Sequence, residues 1–364
     1  MNTFTRYNRQ IQLPGFGYEG QKKLQQSSVL VIGAGGLGVP VLQYLAGMGI
    51  GTLGIADGDN VNITNLHRQI LYTEADVQQS KVGSAVKKLS ALNRQLRIKP
   101  FYEKVTRDNI LALVKEYDVV IDATDNFSTR YLINDACVIL NKPYVYGAVH
   151  QYEGQVSVFN FQDGPTYRCL YPVPPSAGEI PDCNTAGVLG IVPGIIGCQQ
   201  ALQAVKLITG TGKTLSGWLQ IFDFLNDDQY KIKLKAKTEN KQIIQLQESY
   251  EAPACQSVIP IRPQELNHWY ETQKAFYLMD VREENEFEQV HLQQANLYPL
   301  SSFNAAKIEI QPNVPVVAFC QKGSRSMQAA RLLQERFPNL NIYSLQGGLE
   351  QWFVELGNQR IIRN

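Results

Sequence analysis

The sequence predicts an α/β protein: a doubly wound, mostly parallel sheet with an antiparallel extension, followed by a smaller α/β domain. Three observations carry this. Apolar strand-like runs and helical patterns alternate from residue 28 to about 160. The period changes to two over 152–161 and 218–235, as in antiparallel strands. After a polar, proline-bearing stretch a shorter strand–helix alternation restarts.

In order, Val29–Ile32 reads as a buried strand and 37–48 has helical spacing. A second strand covers 51–57 and a helix 80–92. Strands follow at 96–104, 119–123 and 144–147, separated by helices at 106–115 and 130–140. Such alternation argues parallel strands joined by crossover helices. Tyr171-Pro-Val-Pro-Pro-Ser176 reads as a loop before a glycine-punctuated helix over 188–208. The division is a first domain over 1–240, a linker over 241–261 and a second domain over 262–364. In the second domain the expected strands are 276–280, 316–319 and 342–345, and the helices 326–336 and 347–355.

With 364 residues, 44% hydrophobic and 18% charged, the chain has apolar material for full cores. A net charge of +1 gives no electrostatic reason to expect nucleic acid or an acidic membrane. No run approaches the ~18 apolar residues of a membrane span, and no membrane partner is expected. The N-terminal segment lacks an apolar export signal, so a cytoplasmic location is expected. The six cysteines (137, 169, 183, 198, 255 and 320) then read as free thiols.

Val29–Ile32 runs straight into Gly33-Ala-Gly35-Gly36-Leu-Gly38, a turn that aims backbone N–H groups at phosphate. Asp57 lies about 20 residues on, where a carboxylate can accept ribose hydroxyls. This much fits a nicotinamide dehydrogenase equally well. Asn65-Leu-His-Arg68-Gln69, Lys81 and Asp122-Ala-Thr-Asp125-Asn126 do not fit it. Two cations and a spare carboxylate beside one phosphate site suit adenylyl chemistry: Arg68 and Lys81 can neutralise developing phosphate charge, and Asp125 can hold Mg²⁺. Asp122 reads either as part of this site or as a helix N-cap. His67 is expected to pack or hydrogen-bond, and Arg6 to steady the N-terminal arm.

Arg6-Tyr-Asn-Arg9-Gln10, Gly33–Gly38, Asp57, the 65–69 segment, Lys81, Asp122–Asn126 and Ala186-Gly-Val-Leu-Gly190 closely resemble the ThiF/MoeB adenylyltransferases of the ubiquitin-activating superfamily. The resemblance covers about the first 235 residues and implies a Rossmann-like first domain. It implies that ATP is bound by Gly33, Gly35, Gly36, Gly38, Asp57, Asn65, Arg68, Gln69, Lys81, Asp125 and Asn126, with Mg²⁺ or the reacting carboxylate at Asp125. It implies a homodimer in which Arg9 reaches the partner's site. The substrate implied is a ubiquitin-like sulfur carrier (MoaD or ThiS type) ending in Gly-Gly. Many relatives clamp a structural zinc with two Cys-x-x-Cys pairs. Here Cys169 and Cys255 face Thr166 and Ala252 at the partner positions, so no structural zinc is expected, and hydrophobic packing is expected to close that region.

Cys320-Gln-Lys-Gly-Ser-Arg325 follows an apolar strand and precedes a helix. Successive N–H groups, the helix dipole and Arg325 all favour a thiolate or a persulfide at Cys320. With Asp280-Val-Arg282-Glu-Glu-Asn-Glu286-Phe287, His291 and Gly347-Gly348-Leu-Glu-Gln-Trp352, this resembles a rhodanese domain over about 262–358. Val290 departs from the pattern, where glycine commonly precedes the histidine. Cys183 matches the crossover-loop cysteine of the resembled enzymes and is a candidate second thiol; Cys137 and Cys198 read as small core residues. The resemblances imply carrier adenylylation followed by attack of a Cys320 persulfide to give a thiocarboxylate, with a cysteine desulfurase or similar sulfur donor. The alternative is adenylylation only, with the second domain regulatory or independent.

Overall fold

The computed structural model describes residues 4–174, 187–250, 258–305, 308, 310, 314–337 and 340–363. They fold as two compact units, one ending at Tyr250 and one comprising the described residues from Val258.

The first unit begins with two helices, α1 (Asn8–Ile11) and α2 (Gly17–Gln26). There follow β1 (Ser28–Ile32), α3 (Gly38–Met48), β2 (Thr52–Ala56), α4 (Lys81–Leu92), β3 (Arg97–Phe101), α5 (Ile110–Lys115), β4 (Val119–Asp122), α6 (Phe127–Ile139) and β5 (Tyr144–His150). The antiparallel extension is β6 (Glu153–Phe159), β7 (Trp218–Asp223) and β8 (Asp228–Lys233), with α7 (Tyr167–Leu170) and α8 (Ile191–Thr209) between β6 and β7. The eight strands lie in the order β3-β2-β1-β4-β5-β6-β7-β8, parallel as far as β5 and antiparallel beyond it.

Alternation along β1 explains the double winding. Val29 and Val31 enter a core with Leu42, Val82, Leu89 and Ile196, from α3, α4 and α8. Leu30 and Ile32 enter a second core with Ile110, Leu113, Tyr131 and Ile133, from α5 and α6. A parallel strand buried on both faces needs this unbroken apolar run. The strand order reverses between β1 and β4, which places a crevice at their carboxyl ends. Contrary to the sequence reading, one helix, α8, is long and apolar enough to cross a membrane by length and composition alone. Half of its apolar window is buried, and it packs on α3 and on the sheet.

The second unit has a five-stranded parallel sheet in the order β12-β10-β13-β14-β9. Its elements are β9 (Ile259–Ile261), α9 (Pro263–Glu271), β10 (Tyr277–Asp280), α10 (Glu284–Gln289), β11 (His291–Leu292), β12 (Asn296–Leu297), β13 (Val316–Phe319), α11 (Ser324–Arg336), β14 (Ile342–Leu345), α12 (Gly348–Leu356) and β15 (Ile361–Ile362). Val317, Phe319, Leu345 and Trp352 form one core, and Met279, Val316, Ala330 and Ile342 the other.

The segment expected as a linker, 241–261, divides between the units. Leu246 and Tyr250 pack on the Leu30/Ile32 core of the first unit, and Tyr250 Oη donates to Asp135 Oδ2 at 2.8 Å. Ile259–Ile261 is a strand of the second sheet. Helix α6 starts at Phe127, earlier than the expected 130, because the Asn126 side chain caps Thr129 N at 2.9 Å.

Candidate functional sites

In the first unit the glycine turn closes against the end of β4. Gly33 has φ +99°, and a Cβ there would lie 2.5 Å from the Ala123 carbonyl oxygen. At Gly38 a Cβ would lie 1.9 Å from the Gly33 oxygen. Only glycine allows this turn, which opens α3 with free N–H groups. Ala34 is pinned from both sides: its N–H donates to Asp57 Oδ2 and its carbonyl accepts from Tyr72 Oη, each at 2.8 Å. Asp57 Oδ1 accepts from Asp59 N at 2.8 Å. Asp57 therefore shapes the turn as well as flanking it.

The 62–69 segment lies over the same turn. The stem of Arg68 reaches to 3.4 Å of a Cβ built on Gly36, and Gln69 Nε2 to 3.6 Å of one on Gly35. Gln69 is buried and its Oε1 has no hydrogen-bond partner among the described residues. Among the described residues Arg68 Nη1 makes only a 3.3 Å bond to the Thr64 carbonyl and a 3.4 Å contact with His67 Nε2, so most of its donors are uncommitted there. His67 is exposed and bonds the Thr64 carbonyl, the minor role expected of it. Asn65 is half-buried at the end of a short helical turn capped by Asn62.

Lys81 opens α4 with its side chain only 9% exposed, and Nζ lies 3.1 Å from Asp59 Oδ2. Lys104 pairs with the other Asp59 oxygen at 3.5 Å. Burial alone would raise the Asp59 carboxyl, but these two lysines outweigh it and hold it below the ordinary carboxylate range. Asp59 was not singled out in the sequence; the one signal was its place in Asp57-Gly-Asp59.

After β4, Asp122 and Asp125 separate clearly. Asp122 is buried, and its Oδ1 accepts from Thr124 N at 3.1 Å and Thr124 Oγ1 at 2.6 Å. Burial raises its pKa, with Arg130 and the Thr124 bonds opposing. It is not the helix N-cap; Asn126 is. Arg130 Nη2 donates to the Thr124 carbonyl at 3.1 Å, so the turn is clamped from beneath. Asp125 is exposed and makes no ion pair among the described residues. A lone exposed carboxylate supplies one hard oxygen ligand, which fits Mg²⁺ held mainly by substrate phosphates and water. Among the described residues no group of three or more His, Cys, Asp or Glu side chains is placed to hold a metal. Arg9 is exposed on α1, and Arg6 Nη1 donates to the Leu92 carbonyl at 2.8 Å, tying down the arm.

Around Cys169, hydrogen bonds gather on the sulfur. It accepts from Thr166 N and Lys237 N at 3.4 Å and from Asn240 Nδ2 at 3.5 Å. Burial raises this thiol, but the donors outweigh it and lower its pKa. Beside it Arg168 grips Asp135 with bonds of 2.7 and 2.8 Å. The region is closed by polar links as well as by the packing expected there. Cys137 is buried and its thiol pushed well up by burial. Cys198 is half-buried on α8, not a core residue as expected, because it lies beside the exposed Tyr44 of α3. Cys183 and Cys255 lie outside the described residues.

In the second unit β13 ends at Phe319 and Cys320 begins the loop. Gly323 N donates to Cys320 Sγ at 3.1 Å, and Ser326 Oγ lies 3.7 Å from the sulfur. The loop is held in shape by α12: Leu349 N and Glu350 N donate to the carbonyls of Cys320 and Gln321 at 2.9 and 3.1 Å. A Cβ on Gly348 would come within 2.2 Å of the Cys320 carbonyl, which explains the Gly347-Gly348 pair. Cys320 is buried at the floor. At the rim, Arg325 Nη1 and Nη2 each donate to a Glu286 oxygen at 2.7 Å. Asp280 and Arg282 form a buried pair beneath, and Arg282 Nη2 also donates to the Val290 carbonyl at 2.6 Å. That bond holds the turn in which valine replaces the usual glycine.

The ThiF family profile matches residues 7–243, and the rhodanese-like domain profile matches residues 262–355. An adenylyltransferase and sulfurtransferase MOCS3 of Aedes aegypti is 40% identical over 96% of this chain and 87% of its own. A probable adenylyltransferase/sulfurtransferase MoeZ of Mycobacterium tuberculosis (strain H37Rv) is 38% identical over 96% of this chain and 93% of its own. A sulfur carrier protein adenylyltransferase of Thermus thermophilus is 47% identical over 63% of this chain and 87% of its own. Among solved structures, E. coli MccB with MccA-N7isoASN superposes with a TM-score of 0.60 at 21% identity, over 67% of this chain and 75% of that one. That likeness concerns the fold. By the two profiles and these relatives, the chain belongs to the ThiF family, carries a rhodanese-like domain after it, and is an adenylyltransferase joined to a sulfurtransferase.

Proposed function

We propose that this enzyme adenylylates the C-terminal Gly-Gly of a ubiquitin-like sulfur carrier with Mg-ATP and then converts it to a thiocarboxylate through Cys320. The observation that carries the nucleotide half is Arg68 packed on Gly36 with most of its donors uncommitted among the described residues, beside the phosphate-binding turn. Hydride transfer has no use for that cation. The turn from Gly33 to Gly38 takes the phosphates, and Asp57, with Asn65 and Gln69 alongside, takes the ribose side. The carrier carboxylate attacks the α-phosphorus, and pyrophosphate leaves with the bonding electrons. Arg68, and Lys81 released from Asp59, offset the charge that builds on the phosphates. Asp125 would hold Mg²⁺, which supplies further positive charge to the phosphates; Asn126 stays committed to its helix cap. Arg9 of a partner subunit completes the site in a homodimer.

For the second half, the terminal sulfur of a Cys320 persulfide attacks the acyl carbon and AMP leaves. The product is an acyl disulfide between carrier and Cys320. A second thiol, with Cys183 the candidate, attacks the Cys320 sulfur and releases the thiocarboxylate; an external thiol then reduces the resulting disulfide. A cysteine desulfurase or similar donor reloads Cys320. Chemistry on free thiols belongs in a reducing, cytoplasmic compartment. Carrier-dependent ATP–pyrophosphate exchange tests the first half. Exchange is expected in the wild type and in Cys320→Ala, and to fall by about 10²–10³ in Arg68→Ala. Exchange unchanged in Arg68→Ala would remove Arg68 from the site.

A further inference from the structure

From the charge at the mouth of the Cys320 loop we infer that Glu286 selects the sulfur donor: it excludes free dianions such as thiosulfate and admits singly charged persulfides. This rests on the reading of Cys320 as the sulfur acceptor.

Arg325 is the only cation of the six-residue loop apart from Lys322, and both are engaged. Glu286 takes both terminal nitrogens of Arg325 at 2.7 Å, and Lys322 lies 3.8 Å from Glu350. A guanidinium whose fork is filled by a carboxylate cannot offer the same fork to a sulfonate or sulfate. The pair sits at the rim with its side chains 32% and 30% exposed, where an incoming donor meets it, while Cys320 is at the floor. Arg325 also feels the charge of Cys320, so the pair and the thiol share one field. The remaining rim is acidic. Glu283 acts on Arg325 as well, and its carboxylate is fixed by Ser301 Oγ at 2.8 Å. With Arg282 neutralised by its buried pair to Asp280, three carboxylates (283, 286 and 350) face two cations (322 and 325) before the thiolate adds its own charge. A dianion must approach against that balance with the Nη1/Nη2 fork of Arg325 already taken.

The two donor reactions differ in what must be accommodated. With thiosulfate, the Cys320 thiolate attacks the outer sulfur, the S–S bond breaks, and sulfite leaves as a dianion with the bonding pair. With cysteine persulfide, the thiolate attacks the terminal sulfur and cysteine thiolate leaves with a single negative charge on sulfur.

The test is the rate of sulfur gain on Cys320 in the full-length protein, read by intact mass with thiosulfate or cysteine persulfide as donor. Glu286→Gln keeps an acceptor for the Glu283 N–H cap while removing the charge. It is expected to raise the thiosulfate rate about tenfold and to move the cysteine persulfide rate by less than about twofold. Glu286→Asp keeps the charge and should leave thiosulfate slow. Equal shifts with both donors in Glu286→Gln, or an unchanged thiosulfate rate, would overturn the inference, as would Glu286→Asp accepting thiosulfate as fast as Glu286→Gln. Sulfur gain in Cys320→Ala would instead overturn the assignment of Cys320 itself.

Discussion

Arg68 and Lys81 stand in different states around the same turn, and the difference predicts different phenotypes. Arg68 is largely uncommitted, whereas Lys81 is already paired with Asp59. Removing Asp59 with Asn is expected to change the KM for ATP more than kcat, because it alters the resting place of Lys81 and not the reacting charges; steady-state kinetics of the exchange reaction check this. Glu286 carries a pH signature. Its bonds from Arg325 lower its pKa from an ordinary 4.5 to about 2. A carboxylate depressed in the folded state stabilises above its unfolded pKa, and the effect is lost as pH falls through the folded value. The second unit should therefore lose stability between pH of about 4.5 and 2, and Glu286→Gln should flatten that slope in acid-unfolding curves. At this scale Gly33–Gly38, Asp57, Arg68 and Cys320 were legible because each has a local pattern. Asp59 was not singled out, and Glu286 only as a member of the 280–287 motif without a role, since each acts through a partner 22 or 39 residues away that only the fold brings near.

Among the elements, the turn from β1 to α3 is the least tolerant. The Gly38 Cβ would meet backbone, not a mobile side chain, at 1.9 Å. Gly38→Ala is expected to cost about 2 kcal/mol or more and to weaken nucleotide binding with it. Thermal unfolding with and without ATP checks both; an unshifted melting temperature would contradict the clash. The inner parallel strands β1, β2 and β4 were readable because each is buried on both faces and bounded by helical spacing. Helices α2, α9 and α10 were not. Helix α9 follows the expected linker directly and has only Leu266, Trp269 and Tyr270 as large apolar residues, yet Leu266 and Trp269 bury one face against a core of the second unit. Helix α10 is six residues with four glutamates around it at 283–288, and its capping by Glu283 and Glu286 decides it.

At the scale of the whole molecule, two compact units carry two chemistries, and the sequence showed this order because the alternation stops and restarts. Its boundary was less legible: Tyr250 looks like linker but is held by Asp135, a contact across 115 residues. The proposed homodimer makes its own prediction. Arg9→Ala and Lys81→Ala should each be inactive in exchange, yet mixing them with subunit exchange should restore about a quarter of wild-type activity, since half the dimers then hold one intact site. No recovery on mixing would place Arg9 outside the partner's site.

The most direct test of the coupled mechanism is the intact mass of a Gly-Gly sulfur carrier after incubation with this protein, Mg-ATP and a persulfide donor. The account predicts replacement of one carrier oxygen by sulfur with the wild type, and arrest at the adenylate with Cys320→Ala. Equal thiocarboxylate from Cys320→Ala would contradict it.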